Sequence, residues 1–274
     1  MTFSVFVTKA VTFLMTLFIT LIPYNGIAEP VLKTAGENCE LNMALISDTH
    51  LETKEILRQL FLKAGLSNMS RAASPIDAVV VAGDLTNYAD EESLALYYDI
   101  IRNYAPENAS VITVAGNHDI GHAGDRDVTD ITREQALANV IKYHNDYYGD
   151  NTDKNYYSMD VKGYKFIVLG DEVVDGGHWD AISITQEQLD FLDAQLAEGT
   201  AEGLPVFVCC HWPFVDVNGS ETIWEGSGIE EDELAYQFKS IMEKYSNVFY
   251  ISGHIHGGIR ATAAADMYDI PMAE

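Results

Sequence analysis

The sequence predicts an α/β fold built on mixed β-sheet. Three observations carry that expectation. Short apolar runs rich in Val and Ile alternate with amphipathic helical stretches along most of the chain. Two of the runs, 156–161 and 164–169, flank Lys162-Gly163, the two-residue signal of an antiparallel hairpin. Clusters of Asp, His, Asn and Gly stand directly after the strand-like runs, where ligands gather in open α/β sheets.

Taken in order, 42–47 reads as a first strand, followed by a helix over 53–64 with apolar Ile56, Leu57, Leu60 and Phe61 at helical spacing. A buried strand over 78–82 precedes a helix over 91–103, and 111–115 is a third strand. Thr132-Arg133-Glu134-Gln135 fits a capping box opening a helix to about Tyr143, and Thr185-Gln186-Glu187-Gln188 fits another running to Ala197. The last strands, 206–210 and 248–251, enclose a helix over 231–244, and the acids from Glu230 to Glu233 suit its N-terminal dipole. No repeat, low-complexity tract or interdomain linker is visible, so residues 29–274 read as one domain.

Composition narrows the partners. The 274 residues carry 16 Lys+Arg against 42 Asp+Glu, a formal charge of −26 that disfavours duplex nucleic acid and anionic membrane surfaces. A small phosphate ester at a locally positive site is not excluded. Residues 1–28 read as a secretory signal: Lys9, an apolar run over 11–22, then Gly26-Ile27-Ala28 with small residues at −3 and −1. An uncleaved anchor is the alternative, but Lys9 interrupts the stretch and a span wants about 20 apolar residues. Export is therefore expected, with no stable membrane span after cleavage. Of the 3 Cys, Cys209 and Cys210 are adjacent on a strand and should face opposite sides as buried thiols. A bridge from Cys39 is the alternative.

The polar clusters point to chemistry. Asp48-Thr49-His50, Gly83-Asp84, Gly116-Asn117-His118-Asp119, His211 and Gly253-His254-Ile255-His256 each follow a strand. Five of the 8 His lie in these turns. Asp48 and His50, and likewise His254 and His256, are two apart and share a side while the backbone stays extended. Carboxylates, imidazoles and an amide without thiolate suit divalent Mn, Fe or Zn.

These blocks resemble the calcineurin-like metallophosphoesterases, whose pattern D-x-H, G-D, G-N-H-D/E, H and G-H-x-H appears in order over 48–256. Gly83-Asp84-Leu85-Thr86-Asn87 and His211-Trp212-Pro213 look most like secreted or cyclic-nucleotide-phosphodiesterase-like bacterial members. Purple acid phosphatases share the blocks but place Gly where His50 stands and Tyr three residues after the bridging Asp. Here Tyr88 is four residues on, which argues against a ferric–tyrosinate centre. The resemblance implies a four-layer αββα sandwich of two mixed sheets flanked by helices. It implies one ion on Asp48, His50 and His256 and a second on Asn117, His211 and His254, with Asp84 bridging. Two divalent ions, less two carboxylates and a hydroxide, leave such a centre near +1, able to hold an anionic ester on an acidic protein. It further implies in-line attack by a metal-bound hydroxide, with His118 protonating the leaving oxygen and Asp119 orienting its ring.

Few cations stand near the motifs in sequence, only Lys54, Arg126 and Arg260, which favours a phosphodiester over a phosphomonoester dianion. Phosphomonoesterase activity at the same site is the alternative. A non-catalytic surface-binding module is a third class, expected to have lost a ligand or His118; none is lost. His122, His144 and His178 carry no motif and read as loop or surface residues. Trp212 and Phe214 read as packing rather than as a wall that stacks a base. Family members commonly continue into further strands after G-H-x-H, whereas the 18 residues beyond His256 hold no strong apolar strand, so the C-terminal end reads either as truncated or frame-shifted or as a naturally short variant.

Overall fold

The computed structural model describes residues 39–120, 131–172, 182–214, 229 and 233–256, without the side chains of 233–235. The expected leader over 1–28, His122, Arg126, His178, Arg260, residues 230–232 and the chain end after His256 lie outside the described residues.

Seven strands form two sheets. The first contains β1 (Met43–Ile46), β2 (Ala78–Ala82) and β3 (Ser110–Val114), all parallel in the order β1-β2-β3. The second has the order β4-β5-β6-β7, formed by Tyr157–Val161, Tyr164–Val168, Val206–Cys209 and Val248–Ile251. Only its β4–β5 pair is antiparallel. The hairpin turn is the expected one: Val161 faces Tyr164, and Lys162 and Gly163 take φ of 54° and 88°, the two left-handed residues of a type I′ turn.

Helices α1 (Ile56–Met69), α2 (Glu91–Tyr104) and α4 (Arg133–Tyr148) cover the outer face of the first sheet, and α5 (Gln186–Gly199) and α6 (Glu233–Glu243) cover the second. A single turn, α3 (Asn117–Ile120), sits at the end of β3. The strand period of two sorts the core into three seams. Val79, Val81 and Val111 face the helices of the first sheet, while Ala78, Val80, Ile112 and Val114 meet Phe166, Val168 and Phe207 between the sheets. Ile167, Val206 and Val208 face α5 and α6. The order of layers is thus helix, sheet, sheet, helix. Burial of both faces explains why β2 is apolar throughout. Cys209 lies in the seam between the sheets and Cys210 on the helix side, both as buried free thiols; Cys39 is free and exposed.

Three expectations need correction. The apolar positions read for the first helix are exposed: Ile56 65%, Leu57 65%, Leu60 53% and Phe61 73%. Its packed side is Leu62 and Leu66, one turn further round, because the helix starts later and is anchored by its C-terminal half. The box at Thr132 is complete, but at Thr185 only the hydroxyl half forms. Gln188 instead clamps both the N–H and the C=O of Gly170 at 3.0 and 2.8 Å, closing the end of β5. His144 is buried rather than on the surface, packed between the rings of Tyr148 and Tyr157. Among the described residues no helix is long and apolar enough to cross a membrane.

Candidate metal centre

Every motif residue stands just beyond the carboxyl end of a strand, and the turns there are sharper than an extended chain allows. Asp48, His50, Asp84, His254 and His256 have φ of 55°, 42°, 49°, 74° and 49°. The extended-backbone reason for pairing Asp48 with His50, and His254 with His256, therefore does not hold; left-handed turns aim these side chains inward. Such conformations cost about 1–3 kcal/mol each and persist where surrounding contacts over-determine them. Here the loop after β1 is tied to the loop after β2 by Asp48 N–H to Gly83 O (3.0 Å), His50 N–H to Asp84 O (2.9 Å) and Leu51 N–H to Leu85 O (3.0 Å). Two glycines let the loops close. A Cβ on Gly83, itself at φ 96°, would fall on the His211 ring, and one on Gly116 would fall on the Asp84 carboxylate.

The seven predicted ligands come together in two sets. Asp48, His50, Asp84 and His256 present ligand atoms within 4.8 Å of one another. Within that set His50 Nε2 lies 3.2 Å from His256 Nε2, and His256 Nε2 lies 3.1 Å from Asp48 Oδ1. In the second set Asn117 Oδ1 is 3.1 Å from both His211 Nε2 and His254 Nδ1. Asp84 belongs to both, its Oδ2 being 3.5 Å from His50 Nε2 and 3.3 Å from His211 Nε2. Its other oxygen accepts the His118 N–H at 3.0 Å. The His118 ring stands edge-on to His50, centroids 4.5 Å apart. Donors spaced in this way suit ions bound at roughly 2.0–2.2 Å by N and O ligands, so the residues fit a pair of divalent cations.

Charge is distributed to match. Burial would raise the Asp84 carboxyl, but the imidazoles of His211, His118 and His50 hold it well below the usual carboxylate range. Burial opposes protonation of His211, yet the Asp84 carboxylate lifts it to about 9. Burial and the charge of His211 push His254 down to about 3. Before metal binds, the Asp84 carboxylate thus favours the protonated form of His211, and a cation bound there would compete with that proton.

The sequence model of the calcineurin-like phosphoesterase family matches residues 41–258. The chain belongs to that family. Among solved structures, this phosphoesterase is similar to a dimetal phosphatase from Danio rerio, with a TM-score of 0.53 and 16% identity over 82% of this chain and 84% of that one. It is also similar to purple acid phosphatase PPD1 from yellow lupin (Lupinus luteus) seeds, with a TM-score of 0.52 and 16% identity over 79% of this chain. It spans only 38% of the lupin protein. A search of curated proteins finds no match. The chain is a metal-dependent phosphoric ester hydrolase of the two-sheet metallophosphoesterase fold.

Asp119 departs from its expected part. Its Oδ2 accepts from the N–H groups of Leu85 and Gly116, and its Oδ1 from the N–H and Oγ1 of Thr86, each at 2.9 Å. Three of those bonds tie the loop after β3 to the loop after β2, and the fourth, from Gly116, closes its own turn. Fully buried and turned toward amides, this carboxylate braces the turn that carries His118 and does not orient its ring. Trp212 is buried in the seam with α5 and α6, as packing requires.

Four contributors were not singled out from the sequence. His211 Nδ1 faces Ala82 O at 2.8 Å, a backbone partner that no side-chain motif announces. His50 Nδ1 faces Asn87 Oδ1 at 2.9 Å, and Asn87 Nδ2 donates to Glu52. Arg58, in the first turn of α1, donates to the carbonyl of His50 at 2.8 Å. With Asp48, His50, His256, Phe61 and Met69 it lines a cleft of about 450 Å³. Asn87 was visible as part of the Gly83–Asn87 block, but nothing in the sequence pairs it with His50.

Proposed function

We propose that this phosphoesterase is exported and hydrolyses phosphodiesters at a binuclear centre held by Asp48, His50, Asp84, Asn117, His211, His254 and His256. The observation that carries the reading is Asp84 shared between two donor sets, with His118 beside them. Two divalent ions bound there, of Mn, Fe or Zn, would offset the ester's charge and lower the pKa of an attacking water. The chain's own groups supply the rest. The turns after β1, β2, β3, β6 and β7 fix the donors, and Asp119 braces the loops through the amides of residues 85, 86 and 116. His118 donates a proton to the departing alkoxide, which a poor leaving group needs and a good one does not.

Scarcity of cations supports a diester. That scarcity holds among the described residues, where Lys54 is exposed; Arg126 and Arg260 lie outside them. A specific observation favours the second reading, a phosphomonoesterase: Arg58 lines the cleft beside Asp48, His50 and His256 and is a candidate clamp for a dianion. Turnover of bis(4-nitrophenyl) phosphate against 4-nitrophenyl phosphate, each with added Mn²⁺, Fe²⁺ or Zn²⁺, separates the two. Higher kcat/KM on the diester supports the proposal, and the reverse ratio supports the monoesterase. No turnover of either ester with both ions bound would move the chain to the binding-module class. Export rests on residues 1–28, and protein recovered outside the cell should begin at Glu29.

A further inference from the structure

We propose that Asn87 and Glu52 are positioning residues for the ion of Asp48, His50 and His256: together they hold His50 in the tautomer that presents Nε2 to the site. The inference rests on the binuclear reading above and names what tunes one of its two ions.

Glu52, as a carboxylate, can only accept hydrogen bonds, so the Asn87 group facing it is the NH₂. The Asn87 oxygen is therefore the atom 2.9 Å from His50 Nδ1. An amide oxygen cannot donate, so Nδ1 carries the proton and the Nε2 lone pair points at Asp84 and His256. Without Glu52 the Asn87 amide has no such bias, and a flip would put a donor against Nδ1 and move the proton to the metal-facing nitrogen.

The backbone makes the pairing reproducible. Leu51 and Thr86 form a parallel bridge, which brings the next residues of the two loops, Glu52 and Asn87, side by side. Thr49 Oγ1 donates to Leu85 O at 2.8 Å and reinforces the same register. His211 contrasts with His50, since its Nδ1 faces a main-chain carbonyl that no substitution removes. The two ions are thus held by different means. One depends on a side-chain relay that sequence change can adjust, the other on the fold itself. Partners of this kind typically change metal affinity by about 10–100-fold when removed.

The test uses the full chain, stripped of metal and titrated with Zn²⁺ against a chromophoric chelator, which resolves two dissociation constants. Asn87→Ala should weaken one ion by about 10–100-fold and leave the other near wild type. Glu52→Ala should weaken the same ion to a lesser degree. Glu52→Gln, which can accept from Asn87 but can also donate to it, should fall between wild type and Glu52→Ala. In the Co²⁺-loaded protein, the exchangeable, paramagnetically shifted N–H of His50 should be seen in wild type and lost in Asn87→Ala. If Asn87→Ala does not fold, Glu52→Ala decides by the same two readouts. Fewer than two ions in the wild type would overturn the binuclear reading itself. Two ions in the wild type with both constants unchanged in Asn87→Ala would overturn the positioning role alone. Equal weakening of both ions, with a lower metal-free melting temperature, would make Asn87 a general structural residue and overturn it as well.

Discussion

Single residues here act through more than one atom. Asp84 turns one oxygen toward His50 and His211 and gives the other to the His118 amide. Asp84→Asn should therefore weaken both ions together, read as metal per chain after dialysis against limiting metal, whereas loss of any other donor should favour one site. His118→Asn should keep its metal yet lose roughly 10²–10⁴ in turnover on a diester with a poor leaving group. The loss should shrink on a nitrophenyl ester; equal losses on both would reassign His118 to holding the phosphate. Asp119→Ala should instead act on the fold. Each buried amide it orphans costs about 1–3 kcal/mol, visible as a lower melting temperature even without metal. The distinction matters because His118 and Asp119 are neighbours in sequence and reach different parts of the site.

At the scale of elements, the strand ends decide where chemistry can occur and the helices decide little of it. Five of the donors sit on left-handed turns, and the close approaches at Gly83 and Gly116 leave no room for a side chain. Helix α1 illustrates the limits of periodicity. Its large exposed apolar residues, Ile56, Leu57, Leu60 and Phe61, outnumber its buried ones, yet Leu62 and Leu66 make the core contact. Leu66→Ala should cost about 2–5 kcal/mol of stability, as buried Leu truncations do. Leu60→Ala, at 53% exposure, should stay within about 0.5 kcal/mol, as surface changes away from special features do. Denaturant melts of the two variants check the assignment, and equal costs would restore the outer face as the packed one.

Across the whole molecule, the centre joins the two sheets. Asp48, His50, Asp84 and Asn117 follow strands of the first sheet, whereas His211, His254 and His256 follow strands of the second. The His254 N–H also reaches the Asp48 carboxylate at 3.2 and 3.3 Å, a contact between residues 206 apart in sequence. Ions bound there would cross-link the sandwich at one end. Metal should raise the melting temperature, since a ligand bound only by the native state adds about 2.7 kcal/mol at a hundredfold excess over its Kd. Chelator should reverse the gain, and a melting temperature indifferent to Mn²⁺ or Zn²⁺ would count against a centre that spans both sheets.

Local sequence determined the alternation of strands and helices, the Lys162-Gly163 hairpin, the helix start at Thr132 and the polar clusters at the strand ends that hold the seven candidate donors. Each of these is a short-range property: a period of two or of 3.6, a turn that needs positive φ, or a polar cluster at a strand end. The tertiary structure alone decided which face of α1 is buried, that Gln188 leaves its capping role to hold Gly170, and that His144 is enclosed by tyrosines. It also decided what the site's neighbours do. Asp119 reaches amides 33 and 34 residues away, and Asn87 meets a histidine 37 residues away. A motif states which side chains are present, but a carboxylate or amide takes its part from the donors that distant loops bring to it. Those donors are mostly backbone groups, which every sequence carries and only the fold places.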